Sequence, residues 1–487
     1  MNFSKSTFII LFSFIIVMII SCQSPVFNSN SDSIEIYDSN PFYWQYNGEP
    51  VLLIGGSRED NLFNHPEGLA EHLDKLRSAG GNYIRNTMSS RNPGNPWPHK
   101  MLENGLYDLD QWDNEYWERF ENLLDLCAAR DIIVQIEIWD PWDYFMTEAP
   151  IGYGPDNVGW ESCPYNPLLN INYTAEETGL ATDINYYSGS KPSEHVFFHS
   201  IPGLKDIPVI RKYQEAFVEK VLSISLNYPN VLYCMNNEIG EHAEWGEYWA
   251  GFIREIANDE GKKVFLADMR RNSDFRSEEQ VKLLHDRIHY DFFEISQNTA
   301  NNDQRHYDLI MSVRNQIVDN PKPLNNVKIY GGEIGSWTTS TEEGTRRFWR
   351  NIFGGLASSR FHREGPSSMF FGAGLSDLAL VHLKSMRMFT DEMNVFRCIP
   401  ANHLLGNREP NEAYCLAEEG SQYAVYFPDG GEVDLEISGS GGEIVVRWLN
   451  IAESEWLDAE YRGRKRTITI SPPRSGQWAA LITPAGN

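Results

Sequence analysis

From about Ser33 to Arg397 the chain alternates short apolar runs with segments of helical period, and few folds can use that pattern. Alternating strands and helices build a parallel sheet covered by helices. Eight such units fit a (β/α)8 TIM barrel. The runs that read as strands are 51–55, 82–85, 131–139, the run Val-Leu-Tyr-Cys-Met-Asn-Asn-Glu ending at Glu238, 263–269, 289–295, 327–331 and 359–362. Helical spacing marks 66–79, with Leu69, Leu73 and Leu76 on one face, and 110–130, with an Asp cap and Trp117, Phe120, Leu123, Leu124 and Cys127 in register. Further helices are expected at 210–226, 244–258, 342–356 and 375–389. An aromatic, Asn-, Gly- and Pro-rich excursion leaves the third strand and runs to about Pro208, and a loop of that length reads as a wall of a binding cleft.

After Ile399 the texture changes. Short alternating runs at 423–427, 432–437, 443–449, 467–470 and 478–482 are split by Gly-, Pro- and Asp-rich turns, the pattern of a small all-β sandwich. The expected organisation is therefore a barrel over 34–398 and a sandwich over 399–487. Ahead of them, Lys5 and the apolar stretch 8–20 make a targeting segment over 1–21, too short for an ordinary spanning helix. It ends in Ile-Ile-Ser-Cys, which resembles a bacterial lipobox and implies a lipid anchor on Cys22 and a polar tether over 22–33. The expected location is exported and membrane-anchored, on the periplasmic or cell-surface face. The other five cysteines are scattered, with no Cys-x-x-Cys pair, so zinc and thioredoxin chemistry are unsupported; only Cys398 and Cys415 are candidates to pair.

The formal net charge of −27 argues against a nucleic-acid partner, because such affinity rests on Lys and Arg neutralising phosphates. No Gly-rich phosphate loop, His-Glu-x-x-His or Gly-x-Ser-x-Gly is present, and no metal or organic cofactor is expected. Fourteen tryptophans are generous for so acidic a chain; most belong in a core, but exposed ones would stack on the C–H faces of sugar rings.

Two strand-like runs deliver a carboxylate at their C-terminal tips, Glu238 on the fourth and Glu333 on the seventh. Barrel strands converge on one mouth at those tips. Two carboxyl groups facing each other across a saccharide are the equipment for breaking a glycosidic bond, one supplying a proton and the other attacking the anomeric carbon or activating water. Asp60 and Glu59 after the first strand, and Glu137 and Asp140 around the third, read as acceptors for sugar hydroxyls. Trp139 and Asp140, in Trp-Asp-Pro-Trp, read as a stacking and hydrogen-bonding wall. Trp245, Trp337 and His362-Arg363 are further candidates to touch substrate.

At these residues the chain resembles clan A of the glycoside hydrolases. Asn237-Glu238 looks like the clan's strand-four Asn-Glu, which implies Glu238 as general acid/base and Asn237 on the substrate's 2-hydroxyl. Gly332-Glu333 is similar to the strand-seven nucleophile, and Arg85 matches the arginine that orients it. The clan's usual strand-six His or Tyr is replaced by Ser296-Gln297-Asn298, so Gln297 or Asn298 stands in its place. The order barrel-then-sandwich, with Tyr-Ala-Val-Tyr-Phe-Pro-Asp-Gly-Gly and Ser-Pro-Pro-Arg-Ser-Gly-Gln-Trp in the tail, resembles the apiosidase-like bacterial family, whose small C-terminal domain is sometimes labelled collagen-binding. The resemblance implies a retaining hydrolase of plant or algal poly- or oligosaccharide. Two other readings stand beside it: a non-catalytic glycan-binding surface lipoprotein on a barrel scaffold, and an adhesion protein acting through its sandwich.

Overall fold

The computed structural model describes residues 33–145, 159–184, 192–331, 340–364, 372–438, 442–463 and 465–485. Cys22, Glu333 and Trp337, together with the targeting segment, lie outside the described residues.

Eight parallel strands organise the larger part of the molecule. In chain order they are Leu53–Gly56, Tyr83–Thr87, Ile133–Trp139, Val231–Asn236, Leu266–Ala267, Phe293–Glu294, Leu324–Asn325 and Ser358–Phe361. The fifth, fourth, third, second, first and eighth pair in that order in one parallel sheet, while the sixth and seventh form a parallel pair of their own. Backbone hydrogen bonds reach from that pair to both sheet edges: Asp291 N–H to the Leu266 carbonyl (2.8 Å) on one side, and Ala357 N–H to the Leu324 carbonyl (2.9 Å) on the other. The sheet is therefore strongly curled. Its first two strands approach closely at Gly55, where a Cβ would sit 1.8 Å from the Tyr83 carbonyl oxygen, so no larger residue fits.

Polar side chains cross the interior. The Tyr83 hydroxyl donates to Gln135 (2.5 Å), Gln135 donates to Glu294 (3.2 Å), and the Asn325 amide donates back to Tyr83 (3.1 Å). These four residues belong to the second, third, sixth and seventh strands, so the chain of bonds ties opposite sides of the curl together. At the N-terminal end of the strands the buried Trp44 packs edge-on against Phe265 and Phe292 and donates its indole N–H to Asn325 (3.0 Å). Trp44 comes from a three-stranded antiparallel sheet, Glu35–Ile36, Trp44–Tyr46 and Glu49–Val51, that the alternation pattern did not announce.

The expected helices form, with shifted ends. The second begins at Asn114, capped by Asp113 accepting from the Tyr116 N–H (2.9 Å), and Tyr107–Trp112 is instead a strand paired with His99–Met101. The period over 107–112 is two, with Tyr107 and Leu109 buried, which is why the helix cannot reach back to Asp110. Among the described residues three helices went unforeseen, the single turn Ala175–Thr178 and the longer Glu278–His285 and Asp303–Gln316. The last of these buries His306 and Arg314 beside Tyr307, Ile310 and Val313, so its inner face does not read as apolar.

The C-terminal part is all β. One antiparallel sheet contains Tyr414–Glu418, Gln422–Phe427, Trp478–Pro484 and Glu443–Asn450, and a second contains Leu405–Gly406, Val433–Glu436 and Thr467–Ile470. Tyr423, Val425, Phe427, Val446 and Trp448 of the first sheet meet Val433, Leu435, Ile468 and Ile470 of the second in one core. The alternate residues Ala424, Tyr426, Ala479 and Leu481 face the other way and join the main core. There Tyr426 stacks on Trp349 (5.4 Å between centroids) and Trp456 on Phe389 (5.8 Å). Cys398 and Cys415 are both buried and free, so that expected pairing is not made. Because one sheet serves two cores, calorimetry should record a single cooperative unfolding endotherm; two well-separated ones would contradict the shared core.

Candidate active site

A cavity of about 430 Å³ opens at the C-terminal ends of the parallel strands. Every strand, or the loop directly after it, contributes to the wall: Asp60 from the first, Arg85 and Arg91 from the second, Trp142 from the third, Asn237 and Glu238 from the fourth. Arg271 and Ser273 follow the fifth, Gln297 and Ala300 the sixth, Lys328 and Tyr330 the seventh, His362 and Arg363 the eighth. The curl of the sheet is what brings residues so distant in sequence to one mouth.

Glu238 stands just past the end of the fourth strand with φ of +54°, a left-handed conformation that costs a non-glycine residue about 1–3 kcal/mol. Strain of that kind persists where surrounding contacts fix it, and here they do. Its Oε1 pairs with the Lys328 ammonium (2.7 Å), accepts from the Gln297 amide (2.9 Å) and lies 3.4 Å from the Tyr330 hydroxyl. Burial alone would raise this carboxyl, but Lys328 and Gln297 outweigh it and hold it down at about 2. In the free protein Glu238 is thus an ion, not the protonated acid that the Asn-Glu pattern implies. Lys328 itself is buried, which pulls its ammonium down, while Glu238 pulls it back up; its Nζ also donates to the Asn237 carbonyl.

Asp60 is the hub of the opposite wall. Arg85 grips it with two nitrogens (3.1 and 3.0 Å), Arg91 donates to it (3.2 Å), and Arg363 and His362 both approach to 3.4 Å. Burial would raise its carboxyl, yet the guanidinium groups, Arg85 foremost, hold it well below the ordinary range. His362 is pushed well below its usual value by burial, with Arg85, Arg363 and Lys328 adding to it, so its ring is neutral at neutral pH.

Of the residues expected to bind substrate, Asp60, Arg85, Asn237, Gln297 and His362 line this cavity with Glu238. Others do not. Trp139, expected as a stacking wall, is fully buried among Phe197, Phe217, Trp245 and Trp249. Asp140 is buried behind the wall, accepting from Arg91 (2.9 Å), Asn237 (3.0 Å) and the Trp142 N–H (3.3 Å), and does not line the cavity. Asn298 donates to the His306 carbonyl (2.9 Å) and accepts from Asn301 (3.0 Å), so only Gln297 of that pair reaches Glu238. Trp245 is likewise buried, its indole donating to Asn236 (3.0 Å), and Glu137 is buried beneath Arg85. Trp142 takes the place at the wall that Trp139 was expected to hold.

Lys328 and Tyr330 were not singled out from sequence, although a lysine in the middle of Val-Lys-Ile-Tyr carries a signal. Alternation along a strand sends 328 and 330 to the same side, and a lysine sent inward needs a carboxylate to meet it. Lys328→Met should release Glu238 to the upward pull of burial. In the wild type, a carboxyl held at about 2 against an ordinary 4.5 adds stability above 4.5 that is lost as pH falls through 2. In the variant the sign inverts, and stability should rise as pH falls from 7 to 5. Urea midpoints at the two pH values check this.

No protein-family model matches the sequence, and no curated protein does. Solved structures do match. A glycoside hydrolase family 5 protein from Bacteroides vulgatus superimposes with a TM-score of 0.60 at 14% identity, covering 94% of each chain. A second glycoside hydrolase gives 0.61 at 13% identity, over 94% of this chain and 98% of the other. A family 5 mannosidase from Rhizomucor miehei gives 0.50 at 14%, over 75% of this chain and all of its own. At such identities the likeness is one of architecture: this chain has the fold of glycoside hydrolase family 5 structures, its C-terminal β part included in the longest superpositions.

Proposed function

We propose that the protein is a retaining glycoside hydrolase on a closed (β/α)8 barrel, with Glu238 as proton donor and Glu333 as nucleophile. The observation that carries this reading is Glu238 at a strand tip, strained and hydrogen-bonded, in a cavity walled by all eight strand ends. Tyr330, three residues before Glu333 in the sequence, lies in the same wall, which supports the pairing. In the reaction the Glu333 carboxylate attacks the anomeric carbon while Glu238 protonates the departing oxygen. Glu238 then takes a proton from a water whose oxygen bonds to the anomeric carbon as the bond to Glu333 breaks, a sequence that calls for carboxyl groups about 5–5.5 Å apart. Asn237, Arg85 and His362 position the saccharide and the nucleophile. The fold shared with a mannosidase supports a carbohydrate substrate, plant or algal polysaccharide being the source we favour. The tail motifs support placement near the apiosidase-like group, with the barrel over 34–398 and the sandwich over 399–487. Export on a lipid anchor at Cys22 is part of the same reading, supported by the apolar stretch and Ile-Ile-Ser-Cys.

The decisive experiment is a polysaccharide screen comparing reducing-sugar release by wild type and Glu333→Gln. Release that persists unchanged in the variant removes Glu333 as nucleophile. A second reading, a glycan-binding protein without turnover, is favoured by one observation: Lys328 keeps Glu238 ionised. It requires glycan binding with no release by either protein.

A further inference from the structure

A second cavity, of about 450 Å³, lies between the helices Ala243–Asp259 and Glu278–His285, away from the strand-tip mouth. Its wall carries five carboxylates, Glu247, Asp268, Glu278, Glu279 and Asp286, against two cations, Arg270 and Lys282. Arg270 pairs with Glu279 (2.8 Å) and Lys282 with Glu278 (3.0 Å), while Asp268 is 3.6 Å from Arg270. Cations behind the wall do not restore the balance. The Lys322 ammonium donates to the main-chain carbonyls of Asp286 and Tyr290, and Arg254 is paired with Asp291 (3.0 Å). Even with Lys322 counted against Asp286, the wall keeps an excess of negative charge. Glu247 in particular has no ion pair and no hydrogen bond among the described residues.

Two further observations say what such a wall would hold. Donor atoms of Glu247, Asp286 and His289 lie within 4.8 Å of one another. Three donors on one metal ion stand about 3–4 Å apart at bond lengths of about 2.0–2.2 Å. A half-buried Glu247 with no partner closes that gap by turning its side chain. Independently, Tyr290 is 2% exposed and lines the same cavity, and its hydroxyl has no hydrogen-bond partner among the described residues. That hydroxyl stands against Gly246, next in the chain to Glu247: a Cβ on Gly246 would lie 2.8 Å from it and 2.7 Å from Asp268 Oδ2. Buried polar atoms are nearly always satisfied, so an oxygen left over at this wall calls for a group that the chain itself does not supply.

We propose that Glu247, Asp286 and His289 hold a divalent metal ion, zinc by preference, with the Tyr290 hydroxyl beside it. Carboxylates alone suit calcium or magnesium; the imidazole turns the preference toward zinc. His289 Nδ1 and Asp286 Oδ2 share a proton at 2.8 Å, and the ion takes that proton's place, releasing it to solvent. The ion joins the helix Ala243–Asp259 to the segment after Glu278–His285, on either side of the two-residue strand Leu266–Ala267. The loop after that strand brings Arg271 and Ser273 to the strand-tip cavity, so the ion is a clamp on one wall of the mouth and stands apart from the glycosidase reading.

The test is calorimetric titration and thermal unfolding of the full chain, stripped with EDTA and then given zinc chloride, calcium chloride or magnesium chloride. The expected result is one zinc ion bound per chain and, at about 100 times its dissociation constant, a melting temperature raised by at least about 2 °C. Calcium and magnesium should shift it less. Glu247→Gln should abolish the zinc effect yet leave the stripped protein as stable as wild type or slightly more so, because Glu247 has no contact to lose and its charge repels its neighbours. His289→Gln should abolish the effect as well. Absence of zinc binding, zinc binding that persists unchanged in both variants, or a larger shift with calcium than with zinc each overturns the proposal.

Discussion

Glu238→Gln should lower kcat on natural glycosides by about 10²–10⁴-fold, the range that a positioned proton donor supplies. The loss should depend on the leaving group. An aryl glycoside with an acidic phenol departs without a proton, so its first step should survive, and added azide should restore turnover by replacing the water that Glu238 can no longer activate. Glu333→Gln should fail with every leaving group, since the covalent step itself is gone. Wild-type rates for Glu238→Gln, with the fold verified by circular dichroism, would remove this residue from the chemistry. The glutamine keeps its shape near Gln297 and Tyr330, which makes the substitution a test of the proton rather than of packing.

Asp60→Asn should destabilise the protein by about 3–5 kcal/mol, because the change strands buried cations rather than merely deleting a contact. Arg85, Arg91 and Asp60 are each at most 3% exposed in their side chains, so water cannot replace the lost charge. Glu137, Asp140 and Glu59 answer Arg85, Arg91 and Arg363 only in part. Urea denaturation checks the value. The surface pair of Arg130 with Asp74 provides the contrast, and Asp74→Asn should move the midpoint little.

The first four strands and most helices could be read because each announces itself by period. The fifth to seventh strands are two residues long by hydrogen-bond pattern, far shorter than their apolar runs, because irregular backbone takes over on either side. Polar residues on an inner face hid the helix Asp303–Gln316. At the site, residues directly at strand tips were legible: Glu238, Asn237, Arg85, Gln297 and His362. The errors at Trp139 and Asp140 came from reading Trp-Asp-Pro-Trp as a unit, when strand alternation and the turn at Pro141 send its two tryptophans to different places. Arg91 carries no such signal; it lies in the loop after the second strand, and only the fold brings it to Asp60.

The strand Gln422–Phe427 packs one row of side chains into its own sandwich and the other onto Trp349 and its neighbours. A fragment cut near residue 398 would bare Trp349, Phe353 and Phe389, and its counterpart would bare Tyr414, Tyr426 and Leu481, so both halves would tend to self-associate. In evolution or in protein engineering this tail therefore cannot be exchanged like a bead on a string. Any graft has to carry the helices it rests on, Thr341–Phe353 and Asp377–Glu392, along with it.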